Sequence, residues 1–236
     1  MLIYIDIETT GLEQNDRICA IGLIVFDEKV LVYKELIKPQ KKMRSEASAV
    51  NHITDEMLKE KKSFENSQIK EILEKYNRPD MTFVGHNIAF DIAMLKYEGF
   101  IFHGAFIDTL KCTRALIQEC EQFSLQYLRY ELKLYKNEKK VADEFGIELC
   151  AHEVLSDALH ARLLHSYLND IANDEKLQQL SSRPALLQKL SFGKYKGRFI
   201  EEIVMNDIAY LSWMLSSVES LDEDMRYSIE YYMKML

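Results

Sequence analysis

The stretch Leu2-Ile3-Tyr4-Ile5-Asp6-Ile7-Glu8-Thr9-Thr10-Gly11-Leu12 decides how this chain folds. Its isoleucines recur at every second position up to a polar turn, which predicts a short strand in the core. Asp6 and Glu8 stand two residues apart on that strand, so both carboxylates project from the same face. Two ionised groups in a core are costly unless a cation compensates them, and oxygen-only ligands suit Mg²⁺ or Mn²⁺. The alternative is a strand end at which both carboxylates reach solvent.

Four further apolar runs follow this strand and predict the rest of a sheet. Ile18–Phe26 and residues 30–37 each follow a tight polar turn, which indicates an antiparallel meander of three strands. Residues 81–85 and 105–107 predict a fourth and a fifth strand. Because helical periodicity is interleaved with the later strands, we predict an α/β fold with helices on the faces of the sheet. The predicted helices cover residues 45–52, 64–76, 88–98, 109–119, 124–132, 138–145 and 153–168.

The composition sets limits on the class of protein. Of the 236 residues 47% are hydrophobic, which excludes a disordered chain, and no apolar run approaches the roughly 18 residues of a membrane span. The net charge of −8 does not suit a protein that coats nucleic acid through bulk charge. This net charge is compatible with an enzyme that binds nucleic acid through a local surface, or with one whose carboxylates are neutralised by metal ions. We expect the protein to be cytoplasmic, with its four widely spaced cysteines reduced and in the core.

A polar segment near the C-terminus divides the chain into two predicted domains. We expect a larger domain at residues 1–170, a linker at residues 171–183 and a small α+β module at residues 184–236. Because the module has only about 55 residues, marginal for independent stability, we expect it to dock on the larger domain.

The C-terminal module is predicted to contain a hairpin and two helices. The hairpin spans residues 190–200, and the helices cover residues 207–216 and 222–235, each opened by an aspartate N-cap. Residues 181–236 hold seven basic and eight acidic side chains, a near balance that suits a protein-docking module. The alternative is a phosphate-contacting hairpin, in which three basic side chains share one extended face. These side chains are Lys194, Lys196 and Arg198.

Three further residues have ordinary interpretations when each is taken alone. Asp91 and Asp157 fall in the first turns of predicted helices, where an aspartate usually interacts with the helix dipole. His152 would by itself be a surface histidine. Together with Asp6 and Glu8, however, they form a set of four carboxylates and one imidazole for which separate ordinary explanations are less convincing.

The segments that carry these residues resemble a known family. Asp6-Ile7-Glu8-Thr9-Thr10-Gly11-Leu12, His86-Asn87-(x2)-Phe90-Asp91 and His152-(x4)-Asp157 are, in this order, similar to the three motifs of the DEDDh-type 3′→5′ exonucleases, the DnaQ-like superfamily. The segment His52-Ile53-Thr54 is similar to a substrate-contacting part of that family. Residues 190–197 and Tyr210-Leu211-Ser212-Trp213 resemble the C-terminal module of exonuclease X. The likeness covers nearly the whole chain.

This resemblance implies an RNase H-like fold, with a mixed five-stranded sheet flanked by helices. It also implies a DNA-repair enzyme that hydrolyses phosphodiester bonds at DNA 3′ ends and releases nucleoside 5′-monophosphates. His152 would be the general base that takes a proton from water. Two divalent cations, Mg²⁺ or Mn²⁺, would be held by Asp6, Glu8, Asp91 and Asp157.

The same resemblance suggests how the 3′ end is bound. Leu12 would wedge against the terminal base and Phe90 would pack beneath the terminal sugar, whereas core filling is the alternative for both. Hydrogen bonds to the strand end would come from Thr10, His52 and Asn87. Because stacking of this kind tolerates any base, it suits a non-specific trimming enzyme.

Two other exonuclease functions remain open from the sequence. One is an RNA-trimming enzyme similar to RNase T or oligoribonuclease, because the motifs do not reveal how the ribose 2′-OH is read. The other is the proofreading subunit of a replicative DNA polymerase. Only the C-terminal segment favours DNA over RNA. We therefore expect nucleic acid 3′ ends as the partner, no membrane, and protein docking as the alternative role of the module.

Overall fold

A five-stranded mixed sheet forms the centre of the computed structural model, which describes residues 1–13, 15–150, 152–219 and 221–235. The strand order is β3-β2-β1-β4-β5. The first three strands are antiparallel neighbours, whereas β4 and β5 run parallel to β1, so the predicted meander and mixed sheet are confirmed. The strands are β1 (Leu2–Thr9), β2 (Ile18–Phe26), β3 (Val30–Leu36), β4 (Thr82–Gly85) and β5 (Ala105–Asp108).

Helices cover both faces of the sheet and form the C-terminal module. A single 3₁₀ turn at Phe64–Asn66 precedes α3. The helices are α1 (Ser45–Asn51), α2 (Asp55–Leu58), α3 (Gln68–Tyr76), α4 (Ile88–Tyr97), α5 (Thr109–Leu116), α6 (Leu125–Glu131), α7 (Tyr135–Phe145), α8 (Val154–Asn169), α9 (Asp174–Ser181), α10 (Ile200–Ser217) and α11 (Glu223–Lys234).

Alternation along β1 decides which face of the sheet carries the carboxylates. Ile3, Ile5 and Ile7 point into the core beneath α3 and α4. Tyr4 points to the opposite face and packs in the core beneath α8. Since side chains two residues apart share a face, Asp6 and Glu8 lie on the side that α8 covers.

Residues 171–183 are not the linker that the sequence predicts. They contain α9, which packs against β5, and its Leu177 and Leu180 are buried in the same core cluster as Tyr4. Ser181 at the end of α9 accepts a hydrogen bond of 2.7 Å from the backbone N–H of Asp108. The polar residues that suggested a linker lie on the solvent side of an amphipathic helix, which is why their number was misleading.

The hairpin predicted at residues 190–200 does not form as two strands. A single isolated bridge pairs Lys189 with Phe199. Between them Gly193 and Gly197 adopt left-handed backbone angles, with φ of 79° and 81°. These two glycines coil the segment into turns, so its basic side chains do not line up along one extended face.

The two C-terminal helices form, but the first is longer than predicted. α10 begins at Ile200 and bends at Asp207, whose φ of −153° and ψ of 59° are not helical. The Asp207 carboxylate accepts the backbone N–H of Tyr210 at 3.2 Å, so Asp207 caps the second half of α10, as predicted. Asp222 caps α11 in the same way by accepting the N–H of Met225.

The C-terminal module contacts α5 through charged side chains. Nη1 of Arg114 lies 2.5 Å from Oδ2 of Asp224, and Asp224 is only 1% exposed. The other oxygen of Asp224 accepts the N–H of Ala185, and Lys111 pairs with Glu223 at 2.9 Å. The N-terminus of α11 is thus tied both to the larger domain and to the segment that enters the module.

Three of the cysteines, Cys19, Cys112 and Cys120, are buried free thiols as the sequence predicts, whereas Cys150 is exposed.

Within the described residues, no helix combines the length and the apolar character that crossing a membrane requires.

Candidate active site

Three carboxylates converge where β1 ends. Asp6, Glu8 and Asp157 each place one oxygen so that all three atoms lie within 4.8 Å of one another. Asp157 reaches this point from the first turn of α8, whose N-cap is Glu153. Residues separated by about 150 positions in the sequence therefore lie together at the end of β1.

A glycine in β2 allows α8 to approach this closely. Gly22 pairs with Asp6 in the ladder between β1 and β2. A Cβ at Gly22 would lie 2.7 Å from the backbone carbonyl carbon of Val154, a distance that real side chains do not adopt. Gly22 is not part of the sequence motifs, although a glycine inside an apolar strand often marks close backbone approach.

Asp91 lies beside the group of three. It belongs to α4, is buried, and lies near the backbone of Ile7 on β1. Its negative charge helps to raise the pKa of Asp6, but its oxygens fall outside the group within 4.8 Å. The structure thus brings three of the four predicted carboxylates together and places the fourth next to them.

Burial and mutual repulsion shape the electrostatics of the site. Burial, followed by the charges of Asp91, Asp157 and Glu8, raises the pKa of Asp6 well above its ordinary value. Burial also raises the pKa of Glu8 to about 7, although a hydrogen bond from Asn51 opposes the shift. Burial is likewise the main cause of the raised pKa of Asp91.

The donor set of this site fits divalent cations. In the described part of the chain no lysine or arginine forms an ion pair with Asp6, Glu8, Asp91 or Asp157. Negative charge is therefore concentrated without a cationic side chain to balance it. Clustered carboxylate oxygens are the ligands that Mg²⁺ and Mn²⁺ prefer.

Asn51 contacts the site, whereas the sequence motifs predict this role for its neighbour His52. Its side-chain NH₂ donates to the carbonyl of Thr9 at 3.3 Å, and the same amide lies close enough to the Glu8 carboxylate to lower its pKa. Its side-chain oxygen accepts the N–H of Ile53, which fixes the orientation of the amide. His52, the predicted contact, is exposed and has a left-handed φ of 58°, because it caps the end of α1.

The predicted general base lies in a segment anchored on both sides. His152 is exposed and has a left-handed φ of 53°. Before it, the N–H of Cys150 donates to the hydroxyl of Ser156 at 2.9 Å. After it, the Glu153 carboxylate accepts the N–H groups of Leu155 and Ser156 and pairs with Lys34. Cys150 and Glu153 are therefore both fixed relative to the first turn of α8.

A cavity of about 450 Å³ opens next to Glu8. The side chain of Leu12 at its edge is 85% exposed, so Leu12 does not fill the core. Its lining combines apolar side chains with acidic and basic ones. The lining includes Glu8, Leu12, Arg44, Ala47, Val50 and Asn51.

The loop that carries Leu12 is built around Asp16. Asp16 is fully buried and its oxygens accept hydrogen bonds from the Thr10 hydroxyl and the Glu13 N–H, both at 2.9 Å. Burial alone would raise the pKa of Asp16, but these hydrogen bonds and the nearby Lys41 and Arg44 lower it to about 2. Thr10 is itself fully buried, so its hydroxyl holds this loop together and does not face the cavity.

The remaining predicted substrate contacts differ in their surroundings. The side chain of Asn87 is exposed at the start of α4, and its backbone N–H donates to Asp108 at 3.0 Å. Phe90 is partly buried and packs against the core beneath α4, which is the alternative that the sequence analysis weighed.

The basic residues of the C-terminal module are exposed, but two of them have acidic partners. Lys194 pairs with Asp207 at 3.1 Å, and Arg198 lies 3.5 Å from Glu202. Lys196 is exposed as well. Part of the positive charge predicted for this surface is thus neutralised within the module.

The fold and the sequence are those of a known class of hydrolase. The profile of the exonuclease family matches residues 3–162, and that of the exodeoxyribonuclease X-like C-terminal family matches residues 190–217. The chain therefore belongs to the exonuclease family, and its mixed sheet is the RNase H-like fold of DnaQ-like enzymes.

Individual relatives cover the chain to different extents. The chain is 27% identical over 237 residues to exodeoxyribonuclease 10 of Escherichia coli (strain K12), and the alignment covers 99% of each protein. It is 38% identical over 98 residues to DNA polymerase III subunit epsilon of Treponema pallidum (strain Nichols), which covers 39% of this chain and 43% of that one. The fold is similar to exonuclease X in complex with 5′ overhanging duplex DNA, with a TM-score of 0.59, 23% identity, and coverage of 77% of this chain and 99% of that chain.

Proposed function

We propose that this protein is a metal-dependent 3′→5′ exodeoxyribonuclease that hydrolyses phosphodiester bonds at DNA 3′ ends, releases nucleoside 5′-monophosphates and acts in DNA repair. The observation that carries the proposal is the approach of Asp6, Glu8 and Asp157 to within 4.8 Å. The choice of DNA rests on the full-length likeness to exodeoxyribonuclease 10 and on the fold shared with a DNA-bound exonuclease X.

Asp6, Glu8, Asp91 and Asp157 would hold two divalent cations, Mg²⁺ or Mn²⁺. Cations bound there would lower the pKa of the attacking water and stabilise charge at phosphorus and on the leaving oxygen. The uncompensated negative charge of the site supports this proposal, since bound cations would offset the burial and the mutual repulsion that together raise the pKa of Asp6 and Glu8.

His152 would accept the proton of the attacking water. Its exposure leaves the imidazole accessible to water, and its neighbours Cys150 and Glu153 are hydrogen-bonded to the first turn of α8, the helix that carries Asp157. A left-handed φ in a residue other than glycine is a strained conformation, and such strain is common at functional sites. An imidazole nitrogen can accept a proton from water, as general-base catalysis requires.

The cavity beside Glu8 would take the terminal nucleotide. Its apolar lining, with Leu12, Ala47 and Val50, offers stacking and packing surface but few groups that could distinguish one base from another. This supports trimming without sequence preference. Asn51, next to Glu8 and lining the same cavity, replaces His52 and Thr10 as the proposed polar contact.

We also propose a revised domain division. The catalytic domain would extend through α9 to residue 181, because Leu177 and Leu180 belong to its core. The module at residues 184–236 would dock on it through α11. DNA contact by Lys194, Lys196 and Arg198 is testable with a triple alanine variant, whose single-strand DNA affinity would weaken less steeply with rising salt if they bind phosphates.

The decisive experiment uses 3′-labelled DNA and RNA oligonucleotides with Mg²⁺ or Mn²⁺. We expect labelled deoxynucleoside monophosphate in the presence of either cation and none in EDTA. Asp6→Asn should abolish release, whereas Asp143→Asn, a change of an exposed aspartate on α7, should not. Release from RNA alone would replace the proposal by the RNA-trimming alternative, and no release from either would contradict nuclease activity.

A further inference from the structure

The carboxylate of Asp157 accepts a hydrogen bond from a glutamine that is not part of the sequence motifs. Gln126 on α6 donates from Nε2 to Oδ1 of Asp157 at 2.9 Å. In the described part of the chain, Oδ1 is the only Asp157 side-chain oxygen that receives a hydrogen bond, so Oδ2 remains available to a ligand.

An arginine determines which end of the Gln126 amide faces Asp157. Nη1 of Arg129 donates to Oε1 of Gln126 at 3.2 Å. A guanidinium group only donates hydrogen bonds, so the amide oxygen must face Arg129 and the NH₂ must face Asp157. The orientation of a glutamine amide is often ambiguous, but here both partners require the same one.

Arg129 is in turn held by a two-point ion pair. Its Nε and Nη2 lie 2.5 Å and 2.6 Å from the two oxygens of Glu138, which is 9% exposed. The guanidinium charge is thus neutralised by Glu138, and what reaches Asp157 is a neutral N–H donor. Buried His160 also contacts both carboxylates: its Nδ1 is hydrogen-bonded to Oδ1 of Asp157 at 3.5 Å, and its Nε2 lies 3.3 Å from Oε2 of Glu138.

We infer that Gln126, Arg129 and Glu138, together called the polar bridge, position Asp157 so that Oδ2 faces a divalent cation. Gln126 is a positioning residue in this arrangement, because it acts through Asp157 and does not touch substrate. The inference rests on the proposed function, since it concerns the same cation site. Partners of this kind behind metal ligands typically change metal affinity 10–100-fold when they are removed.

The test replaces the amide by a side chain of similar length. Gln126→Met should weaken Mn²⁺ binding, measured by calorimetry and by electron paramagnetic resonance, by about tenfold or more. Turnover should fall at low Mn²⁺ and recover at saturating Mn²⁺. Gln178→Met is the matched control, because Gln178 donates one side-chain hydrogen bond on α9, away from the site. The control should bind Mn²⁺ like the wild type.

The role of the ion pair is tested in the same assay. Arg129→Met with Glu138→Met removes both charges, so neither is left buried alone. This double variant should weaken Mn²⁺ binding, and adding Gln126→Met to it should cause no further loss, because Arg129 acts through Gln126. A further loss of Mn²⁺ affinity in the triple variant would show that Arg129 and Gln126 act independently, which contradicts the inference.

Failure of the inference and failure of the proposed function give different results. If the wild type binds no Mn²⁺ and releases no nucleotide, the proposed function is wrong. If the wild type binds Mn²⁺ and Gln126→Met binds it equally well, the positioning role is wrong while the proposed function stands. If Gln126→Met lowers the melting temperature in EDTA but leaves the Mn²⁺ affinity unchanged, the polar bridge only stabilises the fold and does not position Asp157.

Discussion

Gly22 lies so close to Val154 that a Cβ on the glycine would be 2.7 Å from the valine carbonyl carbon. Because the two residues belong to β2 and to the start of α8, this contact sets the distance between the sheet and the helix that carries Asp157. The convergence of Asp6 and Asp157 therefore depends on the absence of a side chain at position 22.

The first prediction is that Gly22→Ala separates α8 from the sheet and disrupts the cation site. Overpacking in a core typically costs about 1–3 kcal/mol of unfolding free energy. We expect a lower melting temperature together with a large loss of Mn²⁺ affinity, measured by thermal unfolding and calorimetry.

Gly146→Ala is the control for Gly22→Ala, because Gly146 ends α7 with a φ of 67° and has open space around it. It should cost about 1–2 kcal/mol through backbone strain and leave Mn²⁺ binding intact. Equal Mn²⁺ affinity in both variants would contradict the prediction.

The second prediction concerns the pH dependence of stability without metal. Burial raises the pKa of Glu8 from its ordinary 4.5 to about 7, so between these values the folded protein keeps a proton that the unfolded chain has released. The free energy of unfolding should therefore fall as the pH rises from about 5 to 8. Glu8→Gln removes the titrating group, so its unfolding free energy should fall less over this pH range than that of the wild type, by roughly 1–3 kcal/mol. Urea unfolding in EDTA measures the difference. Mn²⁺ should stabilise the wild type more at pH 8 than at pH 5. Parallel pH profiles of the two proteins would refute the assignment.

Sequence patterns predicted the sheet well, because each strand is an apolar run bounded by polar turns. All five strands lie within about one residue of their predicted positions. The pairing of Asp6 and Glu8 was also predictable, since two carboxylates on one face of a buried strand need compensation. The linker was predicted wrongly because Leu177 and Leu180, which bury α9, are outnumbered by polar residues.

Contacts that depend on packing between distant elements were not predictable in this way. The choice between Asn51 and His52 depends on where α1 ends, because the left-handed cap turns His52 outwards. The role of Gly22 becomes visible only from the approach of α8. Gln126 carries no sequence signal of its own, since its importance comes from its hydrogen bond to Asp157.

The third prediction separates substrate binding at Leu12 from core packing at Phe90. Leu12 is 85% exposed, so Leu12→Ala should change the free energy of unfolding by less than about 0.5 kcal/mol. It should raise KM for DNA several-fold, because the wedge against the terminal base is lost. Phe90 packs against the core, so Phe90→Ala should cost about 3 kcal/mol. Steady-state kinetics and urea unfolding measure both effects. An unchanged KM in Leu12→Ala would remove Leu12 from substrate binding.

The fourth prediction tests how the C-terminal module docks. Asp224 is 1% exposed and binds both Arg114 and the N–H of Ala185, so Asp224→Asn leaves part of a buried network unsatisfied. We expect a loss of about 3 kcal/mol of unfolding free energy and faster proteolysis near residue 183, identified by mass spectrometry. Glu223→Gln is the matched control, because Glu223 pairs with Lys111 on the surface, where such a pair contributes about 0–1 kcal/mol. If both variants resist protease equally, Asp224 does not hold the module on the larger domain.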